Sequence, residues 1–154
     1  MSNAPDIKLY PPYLALAAPI SAVALDWALP LGWAFPGPIW QIALGLALAC
    51  AALWLAVAGA RAFKSAGTNI DPKDEALVLV EAGPYRLTRN PMYLGMVTLQ
   101  LALAFLFSLE WSLMIAPFLW LALDRGVVIY EETYLSHKFG APYDAYLART
   151  RRWL

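Results

Sequence analysis

Two short polar segments hold most of the groups able to do chemistry in this chain of 154 residues. The first, residues 66–93, carries Gly67-Thr68-Asn69, then Gly83-Pro84-Tyr85-Arg86, then Arg89-Asn90-Pro91-Met92-Tyr93. The second, residues 124–153, carries Glu131-Glu132, with Asp124 and Arg125 before the pair and Arg149, Arg151 and Arg152 after it. A methyl, acyl or phosphoryl transfer site needs polar groups held out of bulk water, and these segments supply them if they meet. Asn90-Pro91 reads as a helix start, with Asn90 as cap and Pro91 at the first helical position. The free amides there favour an anion such as a carboxylate. Helical spacing puts Glu131 on one face with Leu135 and Asp124, and Glu132 on one face with Arg125. A carboxylate just outside an apolar segment is a natural partner for a cationic group. The same residue types also suit interfacial anchors (Arg86, Arg89), an aromatic belt (Tyr85, Tyr93) and a solvated helix face (Glu131, Glu132). His137, the single histidine, belongs at the surface, and no cluster of ligand residues predicts a metal site.

The elements that must position these groups are apolar. Hydrophobic residues make up 61% of the chain and charged residues 14%, against about 45–50% and 25% in soluble proteins. Too little polar surface remains to cover a soluble core, so lipid is the expected solvent. The 11 basic and 11 acidic residues balance, which argues against a nucleic-acid partner. Cys50 is the single cysteine, which excludes an intrachain disulfide, and its apolar neighbours predict a small packing residue.

The pattern predicts an all-α, integral membrane protein forming one domain over residues 1–154. About four spans are expected, near 12–29, 39–60, 91–107 and 111–128, with polar segments at 61–90 and 129–154. Pro19 and Asp26 interrupt the first span, and Pro19 predicts a kink. Ala15-Leu16-Ala17 resembles a signal-peptide cleavage site, but no basic region and long apolar core precede it. Residues 31–38, rich in Gly, Pro and Trp, read as a turn at a membrane face. Residues 76–80 form a short apolar run, either a strand or a buried lid. Gly140 should end a polar helix begun near Tyr130, and Pro142 should start another.

The ordered set Ala66-Gly67-Thr68-Asn69, Pro72, Leu79-Val80, Gly83-Pro84-Tyr85-Arg86 and Arg89-Asn90-Pro91-Met92-Tyr93-Leu94-Gly95 resembles the isoprenylcysteine carboxyl methyltransferase family. So does the tail, with Glu131-Glu132, Leu135, Phe139-Gly140, Tyr143, Tyr146 and Arg152-Trp153. Phospholipid N-methyltransferases are similar in plan. The resemblance implies an integral-membrane methyltransferase that uses S-adenosylmethionine at the cytoplasmic face, in a pocket formed by the central loop and C-terminal helices. It also implies a lipophilic small-molecule acceptor drawn from the membrane lipids. On this resemblance Leu79, Val80, Tyr85, Asn90, Pro91, Tyr93 and Glu131 bind the cofactor, and Glu131 takes its ammonium group or fixes a nearby donor. Glu131, Glu132 and Arg89 are the catalytic candidates.

Eukaryotic members carry His where this chain has Asn90, which can hydrogen-bond but does not titrate near neutral pH. An arginine that those members associate with the prenylcysteine carboxylate falls at Val127. Arg125 is the nearest substrate-binding candidate, and prenylcysteine is not favoured as acceptor. The rival expectations are a reductase of sterol-like lipids on a related scaffold, separable by its nicotinamide requirement, and a non-enzymatic small membrane subunit.

Five basic residues (Arg61, Lys64, Lys73, Arg86 and Arg89) follow the second span, and more lie in the tail, whereas residues 31–38 and 108–110 have none. Both termini and residues 61–90 are therefore expected on the cytoplasmic side. Reporter fusions at residue 70 and at the C-terminus should report the same side; opposite sides would keep the two polar segments apart.

Overall fold

A computed structural model describes residues 4–33, 35 and 37–154. Four apolar helices form the body: α1 (Pro11–Ala28), α2 (Pro38–Ala66), α3 (Pro91–Phe107) and α4 (Glu110–Leu123). A π-helical turn (Asp124–Val128) continues α4 directly into α5 (Ile129–Phe139), and α6 (Ala141–Arg149) follows. Prolines sit in the first turns of α1, α2, α3 and α6, where the missing N–H costs no intrahelical bond. Residues 76–80 form an irregular run with a bend at Val78, and no strand occurs among the described residues. The expected turn at 31–38 is described except for positions 34 and 36, which lie outside the described residues.

Two helices are long and apolar enough to cross a membrane, Pro38–Ala66 and the continuous Glu110–Phe139. The apolar part of the second ends at Val128; beyond it α5 carries Glu131, Glu132, His137 and Lys138. Helices α1 and α3, of 18 and 17 residues, are apolar but shorter. At a rise of about 1.5 Å per residue they reach roughly 25–27 Å, close to a hydrocarbon core of about 30 Å. Large apolar side chains cover the outside: Ile20 and Trp27 on α1, Ile39, Trp40 and Leu53 on α2, and Phe118 on α4 are each at least half exposed. Such a surface is stable in lipid and not in water. Cys50, expected inside, is exposed on this outer face of α2, because the helix is apolar all round and only one side of it meets protein.

Helix α3 packs along α2 on one side and against α4 on the other, and α1 packs on α4. Small residues allow the close approach: a Cβ built on Gly45 would stand 2.8 Å from the Leu106 side chain. The core under the polar end consists of Ala18, Tyr93, Leu119, Leu123, Val127 and Val128. Buried Gln100 donates to Ser112 Oγ at 3.2 Å, tying α3 to α4 within the apolar layer.

Asp26, the acid that interrupts the first apolar run, is fully used. Its carboxylate accepts the amides of Glu110 at 2.8 Å and Trp111 at 3.2 Å, and so caps α4 from the end of α1. Glu110, buried, returns the favour by accepting the amides of Leu31 at 2.6 Å, Gly32 at 2.9 Å and Trp33. Each carboxylate meets donors of the opposite helix–loop junction, so neither charge is left bare at the end of the bundle. Asp26→Ala should lower stability by about 1–2 kcal/mol, the usual worth of a helix cap. Thermal unfolding in detergent measures it, and an unchanged midpoint would mean that the cap is solvent-replaceable.

Candidate functional site

The two polar segments meet at the end of the bundle away from Asp26 and Glu110. Gly67, in the left-handed region with φ of 70°, stops α2. The chain then runs out as a loop whose folds are pinned internally: Thr68 Oγ1 accepts the Leu77 amide at 2.8 Å and Asn69 Nδ2 donates to the Glu75 carbonyl at 2.9 Å. The loop docks on α5, where the Ala76 amide donates to Tyr134 Oη at 3.2 Å and Lys138 pairs with Glu75 at 2.6 Å. After the irregular run 76–80 comes a 3-10 turn, Gly83–Arg86. It buries Tyr85 beside Phe63, with ring centroids 5.3 Å apart. Tyr146 of α6 donates to the Tyr85 carbonyl at 2.8 Å.

These elements form a narrow cleft of about 110 Å³. Leu79, Val80, Tyr85, Arg89, Asn90, Tyr93, Glu131 and Glu132 all line it. Pro91 lies beneath, buried at the start of α3, and does not line the cleft. Arg125 does not reach it either. Its side chain is 72% exposed, pairs with Asp124 at 3.4 Å, and lines a separate groove with Lys8, Leu9 and Phe118. Phe63, Asn69, Asp71, Asp74, Met92, Tyr134, Leu135 and Tyr143 are also among the lining residues. Tyr143 and Leu135 stood in the sequence resemblance without an assigned role, whereas no pattern singled out Phe63 or Asp71.

The two neighbouring glutamates have different surroundings. Tyr93 Oη donates to Glu131 Oε1 at 2.8 Å, and no cation pairs with Glu131 among the described residues. Burial pushes its carboxyl up to about 7; the Tyr93 hydrogen bond pulls the other way, and the Glu132 charge adds to the rise. Burial likewise raises the Tyr85 and Tyr143 phenols, which therefore stay protonated.

Glu132 is held by two arginines. Arg89 Nη2 donates to its Oε1 at 2.8 Å, and Arg152 donates from Nε to Oε1 at 3.1 Å and from Nη2 to Oε2. Arg152 also reaches Asp124 Oδ1 at 3.4 Å, where Trp153 Nε1 donates at 2.9 Å. The expected face shared by Glu132 and Arg125 is thus replaced by one shared by Glu132 and Asp124. The π-helical turn is the reason: its wider turn takes up an extra residue, so two turns span eight residues instead of seven.

Asn90 occupies the cap position of α3, but its side chain makes no cap bond. Its Nδ2 donates to the Arg152 carbonyl at 2.9 Å, where Thr88 Oγ1 also donates at 3.0 Å, and the Arg89 amide donates to the Arg151 carbonyl at 2.9 Å. The tail thus lies under the start of α3. His137 is exposed, its ring 2.7 Å from the Thr133 carbonyl, and the described residues hold no group of three or more potential metal ligands.

Removing Arg152 leaves Glu132 with Arg89 alone and unties the tail. Arg152→Ala should lower stability by about 1–3 kcal/mol, as for a hydrogen bond to a charged group, and speed tryptic cleavage after Arg149 and Arg151. Arg125→Ala should stay within about 0.5 kcal/mol of wild type. Equal effects of the two changes would contradict the network.

No curated protein and no solved structure matches the chain. A family model described as phospholipid methyltransferase matches residues 40–142, more than half of the sequence. The matched stretch includes α2, the pocket loop, the Arg89-to-Tyr93 segment and the Glu131-Glu132 pair. It stops before Tyr143 and before the Arg152 tail. The chain belongs to the phospholipid methyltransferase family.

Proposed function

We propose that this protein is an S-adenosylmethionine-dependent methyltransferase that sits in the membrane by four spans and methylates a lipophilic acceptor at the cytoplasmic face. The observation that carries the reading is the contrast between the two glutamates. Glu132 is neutralised by Arg89 and Arg152, whereas Glu131 has only a phenol donor. A carboxylate so placed, walled by Tyr85, Tyr93 and Tyr143, is unfavourable until a cation satisfies it. S-adenosylmethionine brings an ammonium and a sulfonium, both of which aromatic faces also favour. The residues present therefore suit this cofactor.

When bound, the cofactor supplies an electrophilic methyl group on a sulfonium. Glu131 holds the ammonium end, oriented by Tyr93. Leu79, Val80 and Phe63 keep water away, and a dry site favours a reaction in which charge is neutralised. Holding both partners in line contributes much of the remaining rate. Arg89, expected to be catalytic, acts here through Glu132 as a positioning residue, since its guanidinium is spent on that carboxylate and on the carbonyls of Leu147 and Thr150. Of the other carboxylates that line the cleft, Glu132 is committed to arginines and Asp71 to the Tyr10 hydroxyl and the Lys73 amide, while Asp74 is held through its backbone amide.

Glu131→Gln keeps the shape and removes the charge. It should weaken S-adenosylhomocysteine binding roughly 10- to 150-fold, the worth of about 1.5–3 kcal/mol for a charge-assisted hydrogen bond. The pH dependence follows from the sign of the shift. With the free carboxyl at about 7, protonation below that pH removes the partner of the ammonium, so wild-type affinity should fall as pH drops from 8 to 6. Tyr85 and Tyr143 do not titrate there, and the slope should vanish in Glu131→Gln. Calorimetric titration of both proteins tests this; unchanged binding in the variant would overturn the assignment.

A further inference from the structure

The family match begins at residue 40, yet the cleft has a wall outside it. Residues 5–10 leave the start of α1 and cross the polar end of the bundle. Their seat is the π-helical turn. The amides of Lys8 and Leu9 both donate to the Gly126 carbonyl, at 2.9 and 3.1 Å. The Leu9 side chain lies on Gly126 so closely that a Cβ there would stand 2.6 Å from Leu9 Cδ1. From this seat Pro5 lines the cleft.

At the other end of the segment Tyr10 grips the loop that forms the opposite rim. Tyr10 Oη donates to Asp71 Oδ2 at 2.7 Å, and Lys73 Nζ stands 4.0 Å from the centre of the Tyr10 ring. Asp71 and Lys73 belong to one tight turn: Asp71 Oδ1 accepts the Lys73 amide at 2.9 Å and the Asp71 carbonyl accepts the Asp74 amide at 2.9 Å. Tyr10 thus holds this turn at two points, one through its hydroxyl and one through its face. Asn69, Ile70, Asp71 and Pro72 all line the cleft, so fixing the turn fixes that side of the wall.

We propose that Tyr10 is a positioning residue for the ligand cleft: its hydrogen bond to Asp71 clamps the loop at 69–76 over the bound nucleoside cofactor and slows its escape. The proposal rests on the cofactor reading above. Tyr10 touches no ligand itself. It acts through Asp71, and residues 5–10 anchor it to the π-helical turn that also carries Asp124. The clamp joins the α1 start to the loop after α2, beside the Lys73 contact on the Tyr10 ring.

Two measurements on detergent-solubilised full-length protein test it, for wild type, Tyr10→Phe, Asp71→Asn and the double variant. The first is amide hydrogen exchange of residues 69–76 without ligand. The second is the dissociation rate of S-adenosylhomocysteine by displacement. Tyr10→Phe keeps the ring for Lys73 and deletes only the hydroxyl. Each single change should speed both exchange and release about 2- to 10-fold, the worth of one net hydrogen bond. The double variant should be no faster than the singles, because both remove the same bond. Unchanged exchange and release in both single variants would overturn the clamp. So would a lowered thermal midpoint with release unchanged, which would mean a purely structural contact. A wild-type protein that fails to bind S-adenosylhomocysteine would overturn the cofactor reading instead, and the exchange measurement would still decide the clamp.

Discussion

Two guanidinium groups converge on the Glu132 carboxylate, one from the start of α3 and one from the end of the chain. This ion triad joins the polar segments to each other. Arg89 brings the α3 start, Arg152 brings the tail, and Glu132 brings α5. The side chains are only partly exposed, so each charge would be costly alone and is stable only in company. The triad also determines what its neighbour does. One position away on α5, Glu131 accepts from Tyr93 instead and pairs with no cation among the described residues. The arginine-paired glutamate and the glutamate bonded to Tyr93 are thus defined by one another.

A second constraint follows from the bilayer. Apolar helices gain nothing from contacting each other instead of lipid, so their association depends on close packing and on polar contacts. Gly45 against Leu106 supplies the first, and Gln100 with Ser112 the second. At the far end, Asp26 and Glu110 exchange carboxylates and amides across two junctions. The body of the bundle is therefore fixed at its middle and at one end by groups that have no part in the cleft. The other end is free to be built from loops and short helices, which is where function usually resides.

Much of this was readable from the sequence, because the membrane makes apolar runs unambiguous. A helix occupies 91–107, the stretch expected as the third span, and the first two helices start at Pro11 and Pro38, one residue before the expected 12 and 39, while α2 runs on to Ala66, past the expected end at 60. Eight of the nine residues singled out as catalytic or cofactor-binding line one cleft, Pro91 being the exception. The family resemblance carried that information; spacing alone only placed Arg89 to Tyr93 and Glu131-Glu132 at the polar ends of apolar runs, where interfacial anchors and a solvated face fit as well. The partners were less legible. Asp26 read as a flaw in a span, because sequence shows the cost of an intramembrane acid but not the amides that offset it. Arg125 read as a pocket residue and Glu132 as its neighbour, because helical spacing assumes 3.6 residues per turn throughout.

The π-helical turn at Asp124–Val128 is where that assumption fails, and the failure organises the site. With regular geometry Asp124 would align with Glu131, and the tail arginine that reaches Asp124 would be drawn toward the wrong glutamate. One extra residue in the turn brings Asp124 into line with Glu132, so that Arg152 engages both with a single guanidinium. The same turn presents the Gly126 carbonyl to the amides of Lys8 and Leu9, which an unbroken ladder of i to i+4 bonds would leave less available. One local irregularity therefore serves two purposes: it turns Glu131 toward the cleft on one side, and it offers a seat for the N-terminal segment on the other. An α-helix of the same composition would place the same residues at the same depth, but with the charges paired differently and with no anchor for the wall that Tyr10 completes.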